Sequence, residues 1–182
     1  MGPDKAGSLG NQRGFTLIEI ALVLVVLVVM TAMTINFLGN MTGMKASATA
    51  RKLQSDIAYA QALAMTRNLR HRVYVNGSPA PVPDGYAVVN DMDADGNWGE
   101  PGEFAGDPVA GGNLSVTLNA GDYAGITITA VGFAGSYVEF NGLGVPSSGA
   151  GLLAGATSVT VSGGGTLHTV TVEPQTGQTH SP

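Results

Sequence analysis

The chain reads as an α+β protein, in which a long N-terminal helix, half of it transmembrane, packs on a C-terminal antiparallel β-sheet domain. Three observations predict this. No charge occurs between Glu19 and Lys45, and the run is apolar on every side. Small apolar residues then recur at helical spacing as far as Ala64. From residue 73 onward, β-branched and aromatic runs alternate with Gly, Asn, Asp and Pro. Composition agrees, since 27 glycines and only 6% aromatics suit strands and turns built from small side chains. The 44% hydrophobic content of the 182 residues suffices for one core and an appendage. The absence of cysteine excludes a disulfide framework, a thiolate metal site and a Cys nucleophile.

The elements follow in order. Residues 1–14, "MGPDKAGSLGNQRG", are short, polar and net positive. The window Phe15 to Leu38 is long enough, at about 20 residues or more, to cross a hydrocarbon core as a helix. Ile20 to Met30 lacks the polar face of a helix laid on a soluble core. The basic flank in front of it predicts an N-terminus on the cytoplasmic side. A secretory signal peptide would place its small residues after the apolar region, whereas here Gly14 precedes it. Glu19 stands alone at the head of the run. An isolated carboxylate in lipid is expensive, which points to a paired and functional group.

These residues carry a resemblance. "RGFTLIEIALVLVVLVVM" resembles the signal of type IV prepilins and type II secretion pseudopilins, matched at Gly14, Phe15, Thr16, Leu17, Ile18 and Glu19. The resemblance implies that prepilin peptidase cuts between Gly14 and Phe15 and methylates the new amine, so that 1–14 is a cleaved leader. Phe15 would then begin the mature chain one helical turn from Glu19. It also implies assembly with other pilins or pseudopilins in a filament, where Glu19 neutralises the amine of its own or an adjacent subunit.

Residues 39–72 continue the helix, being rich in Ala, Met, Leu, Gln and Arg. Ala46, Ala50, Leu53, Ile57, Ala60 and Ala64 form one narrow stripe at spacings of four and three. Mostly alanine and under three heptads long, the stripe suits packing on a sheet better than a coiled coil. A helix from Phe15 to about Leu69 would span ~80 Å at ~1.5 Å per residue, the lollipop outline of pilins. Lys45, Arg51, Lys52, Arg67, Arg70 and Arg72 fall off the stripe, on a solvated face or at the helix C-terminus where cations complement the dipole.

Residues 73–182 form the β-rich domain. Strands are predicted at "HRVYVN", "GYAVVN", "NLSVTLN", "GITITAV" and "SYVEF". Alternating segments around Val159/Val161 and Val170/Val172, joined through Gly163 to Gly165, predict a hairpin. A helix ending in "LQSDIAYAQALAMTRN", with "VEFNGLGVPSSG" and a final "VTVEPQTGQ", resembles the GspH/FimT group of minor pseudopilins and minor pilins. Two departures stand out: Gln178 follows Gly177 where relatives often carry a basic residue, and the loop from Asp91 to Pro108 is acidic.

That resemblance implies a minor pseudopilin, a structural subunit of a type II secretion pseudopilus for protein export across the outer membrane. The alternative is a FimT-like minor type IV pilin in pilus assembly or DNA uptake. Either subunit would sit in inner-membrane lipid as a single-pass protein, its C-terminal domain periplasmic. All eight Lys and Arg lie between Lys5 and Arg72, and ten of the thirteen acids lie from Asp84 to Glu173. Without cations on the exposed domain, phosphates go unneutralised, so DNA is not an expected partner. His71, His168 and His180 share no metal spacing, and no nucleophile-elbow or phosphate-loop motif occurs, so no enzymatic activity is expected.

One metal candidate remains, calcium, and no other cofactor is expected. In "DMDADGNWGEPGEF", Asp91, Asp93 and Asp95 alternate ahead of Gly96, as in the first half of a calcium loop. Gly102 occupies the twelfth position, where an EF-hand needs a bidentate Glu, and no flanking helices are predicted. Two readings stay open: a looser calcium site using the Asp triplet with Glu100 or Glu103, and a solvated acidic loop of Asx turns.

Overall fold

The computed structural model of the chain describes residues 15–80 and 84–181. Gly14, and with it the expected processing junction, lies outside them, as do the side chains of residues 34–40. Among the described residues, one α-helix, α1 (Leu17–Arg67, 51 residues), precedes ten strands and two short 3-10 turns. Two compact units are distinguished along the chain, residues 1–37 and 38–182.

In the first unit the helix starts behind Thr16, whose carbonyl accepts the N–H groups of Glu19 and Ile20 at 3.0 and 3.2 Å. From Leu17 to Met33 the large apolar side chains are exposed on every face. Among the described residues no helix is long and apolar enough to cross a membrane. The described side chains of this run stop at Met33, short of the end at Leu38 that the sequence predicts for the span.

In the second unit, the predicted stripe is the buried face of α1: Ala46, Ala50, Leu53, Ile57, Ala60 and Ala64 are each at most 1% exposed. They pack into a core shared by two antiparallel sheets. The six-stranded sheet runs β3 (Ser115–Thr117), β2 (Gly85–Asn90), β1 (His71–Val75), β5 (Tyr137–Phe140), β6 (Pro146–Ser148), β7 (Gly151–Leu152). The four-stranded sheet runs β10 (Thr179–His180), β9 (Thr166–Val172), β8 (Thr157–Gly163), β4 (Ile126–Val131). Period-2 alternation sends Val73, Val75, Val138 and Phe140 inward from the first sheet and Val159, Val161, Val170 and Val172 inward from the second. Full burial of Leu53 or Ile57 stabilises the fold by about 1.5–3 kcal/mol each.

Every predicted strand is present, and the hairpin of β8 and β9 pairs in register from Thr157↔Val172 to Gly163↔Thr166. β6, β7 and β10 were not predicted, because two or three residues are too few to show alternation and β6 begins at Pro146. The helix also stops earlier than expected. Asn68 adopts a left-handed φ of 51° and the Leu69 N–H reaches back to the Ala64 carbonyl at 3.3 Å, a helix-ending arrangement in which an αL residue satisfies a terminal carbonyl. Arg70 and Arg72 are therefore not helical: the segment 39–72 expected to continue the helix ends short of them, and for Arg72 the predicted strand "HRVYVN" holds instead. Arg70 precedes β1 and Arg72 lies within it.

Polar groups of α1 fasten the short elements. The Gln54 amide donates to the Thr179 carbonyl at 3.0 Å, tying down the two-residue β10. The Gln61 amide donates to the carbonyls of Gly144 and Thr176 at 2.9 and 2.6 Å. Asp56, almost fully buried, accepts from the Tyr86 hydroxyl at 2.7 Å and from the Lys52 ammonium at 2.9 Å. Burial, then the neighbouring Asp56 carboxylate, pushes the Tyr86 phenol up, so it remains a donor. Burial alone would lower Lys52, but its bond and charge pairing with Asp56 outweigh that and raise it.

His71 at the start of β1 is fully buried, with Nδ1 2.8 Å from the Leu69 carbonyl and no partner for Nε2. Burial lowers its pKa, the Leu69 bond opposes that, and Arg67 adds to it. The unfolded imidazole titrates near about 6.5, above the folded one, so between the two values the unfolded state binds more protons. Stability should be level above the unfolded value and fall as pH drops below about 6.5. Thermal midpoints across that window check this, and His71→Gln should remove that part of the slope.

Candidate functional site

At the head of α1, the Thr16 hydroxyl accepts the Glu19 N–H at 3.3 Å. Thr16 and Glu19 thus have the spacing of a capping box, and the helix dipole favours a carboxylate in this first turn. The T-x-x-E spacing was legible in the sequence as a helix start, and the structure bears out its Thr16 half. Phe15 stands just outside the helix and is 77% exposed. None of the ion pairs among the described residues involves Glu19.

The acidic loop is the turn of a wide hairpin. β2 runs past β3, and its last residues pair with the returning chain: the Asn90 N–H donates to the Glu103 carbonyl at 2.8 Å and the Ala105 N–H to the Val88 carbonyl at 2.9 Å. Residues 91–102 form the connection. Glu103, 5% exposed, braces it from inside, its Oε1 accepting the Met92 N–H at 2.9 Å and its Oε2 the Glu100 N–H at 3.2 Å. Asp93 accepts the Asp95 N–H at 3.3 Å and Asp95 the Asn97 N–H at 2.7 Å, two successive Asx turns.

This winding gathers three carboxylates. One oxygen each from Asp91, Asp93 and Asp95 lies within 4.8 Å of the others, with Asp91 buried and the other two exposed. Glu100 is exposed and outside this group, and its pKa is raised, chiefly by Asp95, then by lost solvation, Asp93 and Glu103. Glu103, the other candidate fourth residue, spends its carboxylate on the two backbone amides.

The loop is fastened to the sheet by the two arginines. Arg72 shares the outer face of β1 with Tyr74 and donates to Glu139 at 2.6 Å and to the Tyr74 hydroxyl at 2.8 Å. Its guanidinium carbon lies 3.8 Å from the centroid of the Trp98 ring and 4.1 Å from that of Tyr137. Burial works against the Arg72 charge, yet Glu139 and Tyr74 outweigh it and raise its pKa. Arg70 reaches Asp91 at 3.4 Å and Glu139 at 3.5 Å. The sequence signal for this clamp was two arginines at alternate positions ahead of a strand, with the single Trp stranded in a polar turn.

Arg72→Lys keeps the charge but loses the planar stack and the fork. It should cost about 1–2 kcal/mol, with Trp98 emission shifted to the red as the loop loosens. Chemical denaturation followed at the Trp checks both.

A cleft of about 590 Å³ lies beside α1, lined by Lys52, Asp56, Asp107, Val109 and Tyr123 among others. Its charged pair is already joined, Lys52 to Asp56. A family model described as "Type II transport protein GspH" matches residues 49–176, from the buried face of α1 through the turn after β9. A second, "Prokaryotic N-terminal methylation motif", matches residues 9–35, which include Gly14, Phe15 and Glu19. No curated protein and no solved structure matches the chain. The methylation motif marks a membrane-anchored, pilin-like subunit, and the matched family is one of structural subunits, not enzymes. The first match spans more than half of the chain, and the chain belongs to the GspH family of type II transport proteins.

Proposed function

We propose that the chain is a minor pseudopilin, a structural subunit of the pseudopilus of a type II secretion system that exports proteins across the outer membrane. The observation that carries this reading is the pairing, in one chain, of the methylation motif at 9–35 with the GspH match at 49–176. In this reading, residues 1–14 are the leader that prepilin peptidase removes. Residues 15–38 anchor the subunit in the inner membrane with the N-terminus cytoplasmic. Residues 39–72 carry the anchor into the periplasm, and residues 73–182 form the domain that meets other subunits.

Glu19 supplies the assembly chemistry. A carboxylate among helices in lipid needs a countercharge. Cleavage at Gly14 creates one, the Phe15 amine, four residues away along the chain. Neutralisation by its own or a neighbouring subunit's amine favours one stagger between adjacent helices, while Thr16 holds the first turn in place.

Two experiments follow from this. Deleting the gene should abolish secretion into the medium and leave surface pili intact; lost pili with normal secretion would overturn the pseudopilin reading in favour of a FimT-like minor pilin. Glu19→Leu should insert into the membrane at normal levels and disappear from the filament fraction, and normal incorporation would remove Glu19 from assembly.

A further inference from the structure

We propose that Asp91, Asp93 and Asp95 bind one calcium ion and so lock the loop 91–102 onto the six-stranded sheet. The inference does not depend on which filament receives the subunit.

Two independent observations meet at this loop. The first is the gathering of three carboxylates, one oxygen of each within 4.8 Å of the other two. Like charges this close repel, and nothing but oxygen is offered, which suits a hard cation. Calcium accepts flexible oxygen shells with ligand distances of about 2.3–2.6 Å, whereas magnesium demands near-ideal octahedral geometry at about 2.0–2.1 Å and keeps its waters, so an irregular loop of this kind suits calcium.

The second is an unsatisfied buried oxygen. The Asp91 side chain is 1% exposed, and its Oδ1 has no hydrogen-bond partner. Its other oxygen receives only Arg70 at 3.4 Å, a cation shared with Glu139. A buried carboxylate oxygen without a donor is costly, and a cation drawn against Asp91 from the side of Asp93 and Asp95 removes that cost.

The loop is prepared for such an ion. Glu103 and the Asn90 amide hold its two ends together, so binding need not order a free segment. Backbone carbonyls and water would complete the shell. Without a bidentate Glu at the twelfth position, the affinity expected is that of weak extracellular sites, about 10⁻⁴–10⁻³ M. Calcium would then draw Asp93 and Asp95 toward Asp91, itself tied to Arg70, and press Trp98 onto Arg72.

The test uses the full chain in detergent micelles, titrated with calcium chloride while Trp98 emission and binding heat are recorded. One ion per chain should bind saturably, with a raised thermal midpoint. Asp93→Asn combined with Asp95→Asn should weaken binding at least about tenfold; both side chains are exposed, so the calcium-free midpoint should not fall. Absence of a saturable signal at several-fold above about 1 mM calcium would overturn the proposal. Unchanged binding in the double variant, or equal binding of magnesium, would overturn it as well.

Discussion

Alanine at positions 46, 50, 60 and 64 lets the backbone of α1 approach both sheets, and the core forms around that approach. Larger side chains would hold the helix off. The approach is close at β8, where Gly163 faces Ala46: a Cβ on that glycine would lie 3.0 Å from the Ala46 Cβ and 2.5 Å from Ile126 Cδ1. Leu53 and Ile57 fill the space the alanines leave, and only then do Gln54, Gln61 and Asp56 fall within reach of β10, the turn at Thr176 and Tyr86. The short strands that could not stand alone are held by these bonds. Interiors are close-packed and tolerate little change in volume, so this one face sets the positions of elements far along the sequence.

Charge is divided along the chain in a way the fold uses. The last two cations, Arg70 and Arg72, leave the helix and stand at the edge of the acidic region, where they take up Asp91 and Glu139 and stack beneath Trp98. Beyond them the domain has no Lys or Arg, and its surface carries uncompensated acid. Such a surface repels polyanions and favours partners, or ions, of positive charge. At the opposite end, a lone acid sits in the first turn of an apolar helix that Thr16 caps. At Asp91 an acid is placed where water cannot fully serve it, one carboxylate oxygen being buried without a donor.

Much of this was legible in the sequence because it is periodic. The stripe from Ala46 to Ala64 has the spacing of one helix face, and the strands with two or more alternating residues could be read from Val73, Val88 or Val161 and their neighbours. What could not be read depends on contacts between distant residues. The residue at which the helix stops could not be read, since the left-handed turn at Asn68 that ends it leaves no distinct mark in "TRNLRHR". Trp98 could be seen in the loop, but not its place over Arg72, which requires the loop to fold back on β1. Glu103 could be read equally as a ligand or a surface acid, and only the hairpin closure at Asn90 turns it inward as a brace.

The GspH match begins at residue 49, within the buried face of α1, so the family's domain includes part of the helix that carries its core. Within this unit the helix and the sheets meet at a face whose small side chains cannot be enlarged without moving helix and sheets apart. The most direct measurement compares Ala60→Leu with Ala58→Leu in the full chain. Position 60 is buried and position 58 exposed on the same helix. Overpacking at 60 should cost about 1–3 kcal/mol, lowering the thermal midpoint by several degrees, while Ala58→Leu leaves it unchanged. Equal midpoints for the two variants would contradict the claim that the close approach of this face governs the fold.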